Sequence, residues 1–324
     1  MPTTNSTSLR IATYNIGYDS KPDQITLSGS ISALKNPLEQ PGRFLGLSGE
    51  QPWSTRRLRV AESLSSEKIV IVGFQEASER QVHDLVKLLG DEWAWIGVGG
   101  GDGMKRGEYC PIFYKKSIVK LHSSDTFWIS DTPFTPSQYP GAGQSRLCTV
   151  ARFSAKSGAK TKFTVLNTHL DARSDSQRRL GTSLILARAR YEAVKLHSAV
   201  FVMGDFNSVS TGKGSGAYNI ITGARPPVTI DSRFAAKNDV GNQLPDFKML
   251  DLRGQAPKEK VSSNFATYTG FNKPSDTSAW RRIDYIFGGS NRRWKSKGYK
   301  VRSSLSDDGI LASDHRPVFA DITI

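Results

Sequence analysis

The chain has 324 residues, of which 37% are hydrophobic and 10% aromatic, enough for a sizeable core and too many for a disordered or fibrous protein. Its 44 Lys and Arg against 30 Asp and Glu give a net charge of +14, which concentrates polyanions nearby and favours nucleic acid over a neutral partner. Two Cys exclude a disulfide-rich scaffold and a cysteine metal cluster, and no apolar run approaches the ~20 residues of a membrane span, so stable membrane insertion is not expected.

The opening MPTTNSTSLR lacks a basic stretch followed by an apolar one, so it reads as a flexible segment over 1–8 rather than a secretory leader, and the compartment stays open. LRIATYNIGY at 9–18 predicts a strand, because β-branched and aromatic residues dominate it. Residues 19–52, rich in Gly, Pro and Ser, predict a long surface insertion, a loop with short elements, and 55–66 carries Arg and Leu at helical spacing. IVIVGFQEA at 69–77 reads as a short buried strand with a polar end, and Ser78 as the cap of a helix over 79–90. Further strands are expected at 93–99, 109–116, 147–155 and 162–170. A helix is expected over 175–197, with Leu180, Leu184, Ala187, Tyr191 and Val194 on its apolar face. AVFVMGDFN at 199–207 is again a strand with a polar tip, 208–246 reads mainly as a second insertion, and late strands are expected at 283–287 and 318–324. Short basic clusters at Arg56, Arg57 and Arg59, at Arg178 and Arg179, at Arg281 and Arg282, and from Arg292 to Lys300 read as solvated surface or as anion contacts. Without an internal repeat or clean linker, residues 9–324 read as one β-rich α/β domain with a shared rim.

The chemistry collects at the strand ends. Asn15 lies in IATYNIG, Glu76 follows VIVGFQ, His169 and Asp171 follow VLNT, Asp205 and Asn207 follow VFVMG, and Asp314 and His315 lie in ASDHRPV. Mg²⁺ prefers oxygen ligands, which Glu76 with one or more of Asn15, Asp205 and Asp314 supplies. Phosphodiester hydrolysis needs an attacking water, neutralised phosphoryl oxygens and help for the leaving oxygen; carboxylates and histidines meet those needs without a covalent nucleophile. Each fragment also has a bland reading. A strand-end carboxylate is often a cap or turn residue, GDFN a turn, and HLD or SDH a core histidine with an ordinary partner. Their joint occurrence, with two of only five His in such contexts, weakens that reading.

In order, TYNIG, GFQEA, GEYCPIFY, NTHLD, GDFNS, RRIDYIF and SDHRPV resemble the endonuclease/exonuclease/phosphatase superfamily, the deoxyribonuclease-I-like fold, over nearly the whole chain. The resemblance implies a four-layer αββα sandwich with two central mixed β-sheets, a site at one edge, and hydrolysis dependent on Mg²⁺ or Mn²⁺. It implies Glu76, Asn15 and Asp314 as the metal residues and His169 as the histidine contacting the scissile phosphate. It implies Asp205 as the orienter or activator of the nucleophile, Asn207 as a phosphate donor, and Asp284 as the support of His315. Whether Asp205 or the pair of His315 and Asp284 is the general base is open, and Asp284 has a rival reading as a salt bridge to Arg281 or Arg282. Glu108 and Tyr109 are weighed as an orienter of His169 and a phosphate contact, against a strand-edge acid and a packed ring. Asp171 is weighed as a positioning group or a turn cap, and Arg146 and Arg178 as phosphate contacts.

Tyr268 and Trp280, with Phe271, lie near Lys273, Arg281 and Arg282, and aromatics beside cations suit bases and phosphates. The leading expectation is a monomeric metal-dependent nuclease acting on DNA and also on RNA. A phosphatase or phosphodiesterase for a small or lipid-linked phosphate, and a nucleic-acid binder without turnover, are the alternatives. Cys110 and Cys148 are expected as inert core thiols or one disulfide.

Overall fold

The computed structural model describes residues 6–36, 49–157 and 161–324. The elements run β1 (Ser8–Asn15), α1 (Leu27–Ser32), α2 (Trp53–Ser65), β2 (Ile71–Gln75), α3 (Glu79–Leu89), β3 (Trp93–Ile96), β4 (Ile112–Lys115), β5 (Val119–Trp128), β6 (Leu147–Ala155) and β7 (Lys162–His169). They continue with α4 (Asp175–Lys195), β8 (Ala199–Asp205), α5 (Gly216–Ile221), α6 (Ser232–Lys237), β9 (Met249–Asp251), α7 (Leu252–Gln255), β10 (Asp284–Gly289), β11 (Lys295–Val301) and β12 (Val318–Thr323). One six-stranded sheet has the order β11-β12-β1-β2-β4-β3 and the other β5-β6-β7-β8-β10-β9. Both are mixed: β1 and β2 run parallel, as do β7 and β8, while their remaining pairings are antiparallel.

Alternation along β8 shows why the layers stack. Val200 and Val202 join the core beneath α4, while Phe201 and Met203 join the core between the sheets. A strand buried on both faces reads as a continuous apolar run, as AVFVM does. On the other side, Ile11 and Ile71 face the inter-sheet core, while Ala12, Tyr14, Val72 and Phe74 pack with α2 and α3. The result is the expected sandwich, two mixed six-stranded sheets with helices around them.

Several expectations are corrected. Ser8 already belongs to β1, and Thr7 exchanges two backbone hydrogen bonds with Ile324, so residues 7 and 8 are held; residues 1–5 lie outside the described ones. In keeping with the expected loops, the 19–52 insertion contains the short α1, with 37–48 outside the described residues, and 208–246 contains the short helices α5 and α6. Helix α4 is buried on nearly every side, so Ala187 and Tyr191, assigned to its apolar face, are only half-buried while Ile185 and Ala189 are fully covered. Arg56 and Arg57 are fully buried instead of solvated: Arg57 pairs with Asp84, and Arg56 donates to backbone carbonyls.

Candidate active site

The pairing register collects the site. His169, Asp205 and Asp284 are direct neighbours across β7, β8 and β10, and Asn15 is level with Gln75 across β1 and β2. Parallel strands end on the same side, so the tips of β1, β2, β7 and β8 share one rim. Antiparallel β10 begins there, and the loop before β12 brings in Asp314 and His315. Two site residues sit in the left-handed backbone region, Glu76 at φ 61° and Asn207 at φ 45°. That region disfavours a Glu by ~1–2 kcal/mol, a strain held by the surrounding bonds. Gly204 permits the close strand approach before Asp205: a Cβ there would meet the Thr168 carbonyl oxygen at 1.9 Å.

Asp205 lies at the centre. Its Oδ2 accepts from Asn15 Nδ2 at 3.0 Å and lies 3.5 Å from His169 Nε2 and 3.6 Å from His315 Nε2. Burial, reinforced by the Asp284 charge, raises the Asp205 pKa above the usual carboxylate range against the opposing pull of both histidines. Glu76 accepts from Asn15 Nδ2 at 3.0 Å and from the Tyr18 amide at 2.9 Å. Burial raises its pKa, but His169, His315 and the Asn15 hydrogen bond win, and the net shift is downward. Asp314 is raised by burial despite His315, with the Glu76 charge adding to the rise.

The two histidines have different supports. His315 Nδ1 is 2.8 Å from Asp284 Oδ2, and the ring packs edge-on to Tyr268 at 4.9 Å. Arg281 stacks on Tyr268, and Arg282 forms a bidentate pair with Asp251, so Asp284 belongs to His315 and not to an arginine. His169 Nδ1 is 2.7 Å from Arg146 Nη1, and its Nε2 is 3.1 Å from Asn207 Nδ2. Glu108 lies 3.5 Å from His169 Nδ1 and pairs with Arg146 at 2.6 Å. Burial raises the Glu108 pKa, but His169 and Arg146 hold it down at about 2.

Other expected contacts fall elsewhere. The Tyr109 ring is buried and its hydroxyl donates to the Met104 carbonyl at 3.0 Å, so it is not aimed at a phosphate. Arg178 donates to the Asp171 and Ala172 carbonyls, closing the turn before α4. Asp171 accepts from the Gly143, Arg173 and Ser174 amides and thus ties two loops together, with Arg146 Nε 3.8 Å away. Arg146 itself lies beside His169 and Glu108. Trp280 is 36% exposed under the Arg316 guanidinium, 4.4 Å from its ring centre, and Phe271 packs against Arg56. Cys110 and Cys148 are free buried thiols; burial pushes Cys110 up to about 12.

Arg56 went unrecognised as a site element. From inside α2 it donates to the Ile16, Gly17, Tyr18, Gln51 and Ala312 carbonyls, so one guanidinium binds the loop after Asn15 to the loop before Asp314. Only the arginine pair in the sequence hinted at it, since the acceptors are backbone atoms that leave no residue pattern.

The donor set fits a hard divalent cation. Glu76, His169 and Asp205 each offer a ligand atom within 4.8 Å of the others; Asp314 is close enough to feel the Glu76 charge, and Asn15 at the end of β1 donates its amide N–H to both Glu76 and Asp205. Carboxylate oxygens predominate and thiols are absent from this set, which suits a hard divalent cation rather than structural zinc.

The profile of the Endonuclease/Exonuclease/phosphatase family matches residues 12–315. Among curated proteins none matches. Among solved structures, an endonuclease/exonuclease/phosphatase from Bacteroides vulgatus superposes with a TM-score of 0.73 at 27% identity, over 98% of each chain. The mannosyl-6-phosphatase Bt3783 of Bacteroides thetaiotaomicron has a TM-score of 0.69 at 21% identity, covering 98% of this chain and 100% of that one. D. rerio TDP2, complexed with a single-strand DNA product, has a TM-score of 0.60 at 15% identity, covering 97% of this chain and 98% of that one. The last two likenesses speak to fold alone. With the family's motifs converging on one rim and its profile spanning both sheets, the chain belongs to the endonuclease/exonuclease/phosphatase family and is a phosphoester hydrolase of that family.

Proposed function

We propose that the chain is a divalent-cation-dependent nuclease, hydrolysing phosphodiester bonds of DNA and also of RNA. The observation that carries this reading is the border of the site. Beside His315, Arg281 stacks on Tyr268 at 4.8 Å and Arg316 on Trp280 at 4.4 Å, an alternation of cation and ring suited to phosphates and bases. The net charge of +14 acts in the same direction by attracting polyanions. Shared fold with a mannosyl-6-phosphatase keeps sugar phosphates in the test.

Glu76, Asn15 and Asp314 would hold Mg²⁺ or Mn²⁺, which when bound supplies positive charge against the phosphoryl oxygens. Asp205 orients the attacking water and takes its proton; its raised pKa suits a proton acceptor. His315 faces Asp284 and Asp205 with its two nitrogens, which supports an imidazolium that donates to the phosphoryl group. This favours Asp205 over His315 as the base, with Asp284 orienting the ring. Asn207 and His169 contact the scissile phosphate from the opposite side, and Arg146 with Glu108 positions His169.

The test is a substrate panel: plasmid and single-stranded DNA, RNA, mannose 6-phosphate and a chromogenic phosphoester, each with Mg²⁺ or Mn²⁺ and with EDTA. The expected result is nucleotide release that EDTA abolishes and that His169→Ala loses. Turnover of the sugar phosphate without any polynucleotide cleavage would overturn the nuclease reading. Tight nucleic-acid binding with no turnover of any phosphoester would overturn the enzymatic one.

A further inference from the structure

Segment 265–268 connects the catalytic rim to a cleft on the side of the molecule. Tyr268 bridges to both His315 and Arg281, and the Thr267 carbonyl accepts from the Arg316 amide at 2.6 Å. The segment is therefore clamped between residues 281–283 and 315–316. Descending from the rim, Arg281 lies on Tyr268; next, Arg316 reaches the Ala266 carbonyl at 3.4 Å beneath Trp280. Phe265 follows, 54% exposed, with the Arg253 guanidinium 5.2 Å from its ring centre. Beyond it opens a cleft of about 480 Å³ lined by Arg253, Lys258, Arg282 and Asp251.

Charge along this path is uncompensated. Asp251 is occupied on both oxygens by Arg282, at 2.6 and 2.7 Å. Among the described residues, none of Arg253, Lys258, Arg281 and Arg316 lies within ion-pair distance of a carboxylate. Each arginine in the row instead covers an aromatic face. Exposed rings at Trp280 and Phe265 stack only on unpaired bases, which singles out one strand over a duplex. Tyr268 and Phe265 are three residues apart with a bend at Thr267, so the chain between them spans at most ~10 Å, no more than about three stacked nucleotides at ~3.4 Å each.

We propose that Phe265, Arg253 and Lys258 form a remote subsite for single-stranded nucleic acid, holding nucleotides a few steps beyond those at the Tyr268 end of the row. The proposal rests on the nuclease reading and names its substrate form: an unpaired strand that runs from His315 past Trp280 into the cleft. Substrates too short to reach Phe265 gain nothing from it, so the efficiency of the wild type rises with strand length and then levels off.

The test compares single-stranded oligonucleotides from two to about twelve nucleotides, and a duplex of the longest, in wild type, Phe265→Ala and Arg253→Ala/Lys258→Ala. Circular dichroism and urea midpoints check that the variants fold. The wild type is expected to gain about tenfold in kcat/KM with length, chiefly through KM, and Phe265→Ala to flatten that rise. Removing two cations is expected to reduce the slope of log KM against log salt by about 1.4. A wild type indifferent to length, a duplex preferred over the single strand, or variants that keep the full rise would each overturn the subsite. A parallel arm measures binding of a labelled twelve-nucleotide strand in EDTA, where no turnover is required. Weakening of about tenfold in Phe265→Ala supports the subsite even if the nuclease reading fails, and unchanged binding overturns it.

Discussion

His169 and His315 are 2% and 3% exposed and both approach the same Asp205 oxygen, yet their nearest partners differ in character. His315 faces carboxylates on both nitrogens, Asp284 at 2.8 Å and Asp205 at 3.6 Å. Burial pushes its pKa down, but Asp284 and Asp205 overcome that and raise it well above the ordinary histidine value. His169 has donors as its nearest partners, the Arg146 guanidinium on Nδ1 and the Asn207 amide on Nε2, with the Glu108 and Asp205 carboxylates at 3.5 Å. The Leu170 carbonyl, 2.9 Å from Asn207 Nδ2, fixes which end of that amide points at the ring. The nearest partners of one ring are thus carboxylates alone, while the other ring meets an arginine and an amide first and carboxylates second. The same residue type at the same kind of strand end acquires its chemistry from its neighbours.

The largest effect should separate the supports of the two rings. Asp284→Asn removes the anion beside His315, and kcat is expected to fall by ~10²–10⁴ while urea melts stay cooperative. Glu108→Gln acts on His169 across 3.5 Å and with Arg146 still in place. Its expected loss is about tenfold in kcat, the lower range for a second-layer partner. Equal losses would break the contrast.

Next comes stability. Arg146→Met removes the cation paired with buried Glu108, leaving only His169 beside that charge, and is expected to cost ~3 kcal/mol in urea unfolding. Adding Glu108→Leu should recover most of that stability but none of the activity. Recovery of both would show that the pair only fills space.

The pH dependence follows from the depressed Glu108 value. A carboxylate held at about 2 in the folded state contributes stability that is fully present above its unfolded value and is lost as pH falls toward 2. Wild type should exceed Glu108→Gln most above about pH 5, and about 2 kcal/mol of that advantage should disappear by about pH 3. A constant difference across this window would place the Glu108 shift elsewhere. The smallest effect concerns Arg56, which serves the His315 side by joining the loops of Asn15 and Asp314. Arg56→Lys cannot reach five carbonyls, and about tenfold more Mg²⁺ should be needed for half-maximal activity.

The inner strands were legible because burial on both faces leaves continuous apolar runs, and β6 was anticipated to the residue. Strands β5, β9 and β11 escaped notice for the opposite reason. They lie at or next to sheet edges, and VKLHSSDTFW and KSKGYKV carry the polar and basic residues that edges tolerate. Of the site, the strand-tip residues were legible because motif order follows strand order, and Asp284 beside His315 was legible as a pair. Arg146, weighed as a phosphate contact, lies between Glu108 and His169, a pairing its sequence context did not announce. Tyr109 and Arg178 were misplaced because their partners, the Met104 and Asp171 carbonyls, carry no side-chain signature.

The contrast between the rings is tested most directly by the long-range ¹H–¹⁵N spectrum of His315 in metal-free protein near neutral pH. Asp284 and Asp205 predict an imidazolium pattern, both ring nitrogens protonated, that collapses toward a neutral ring in Asp284→Asn. A neutral His315 ring in the wild type would contradict the assignment of His315 as donor and Asp205 as base.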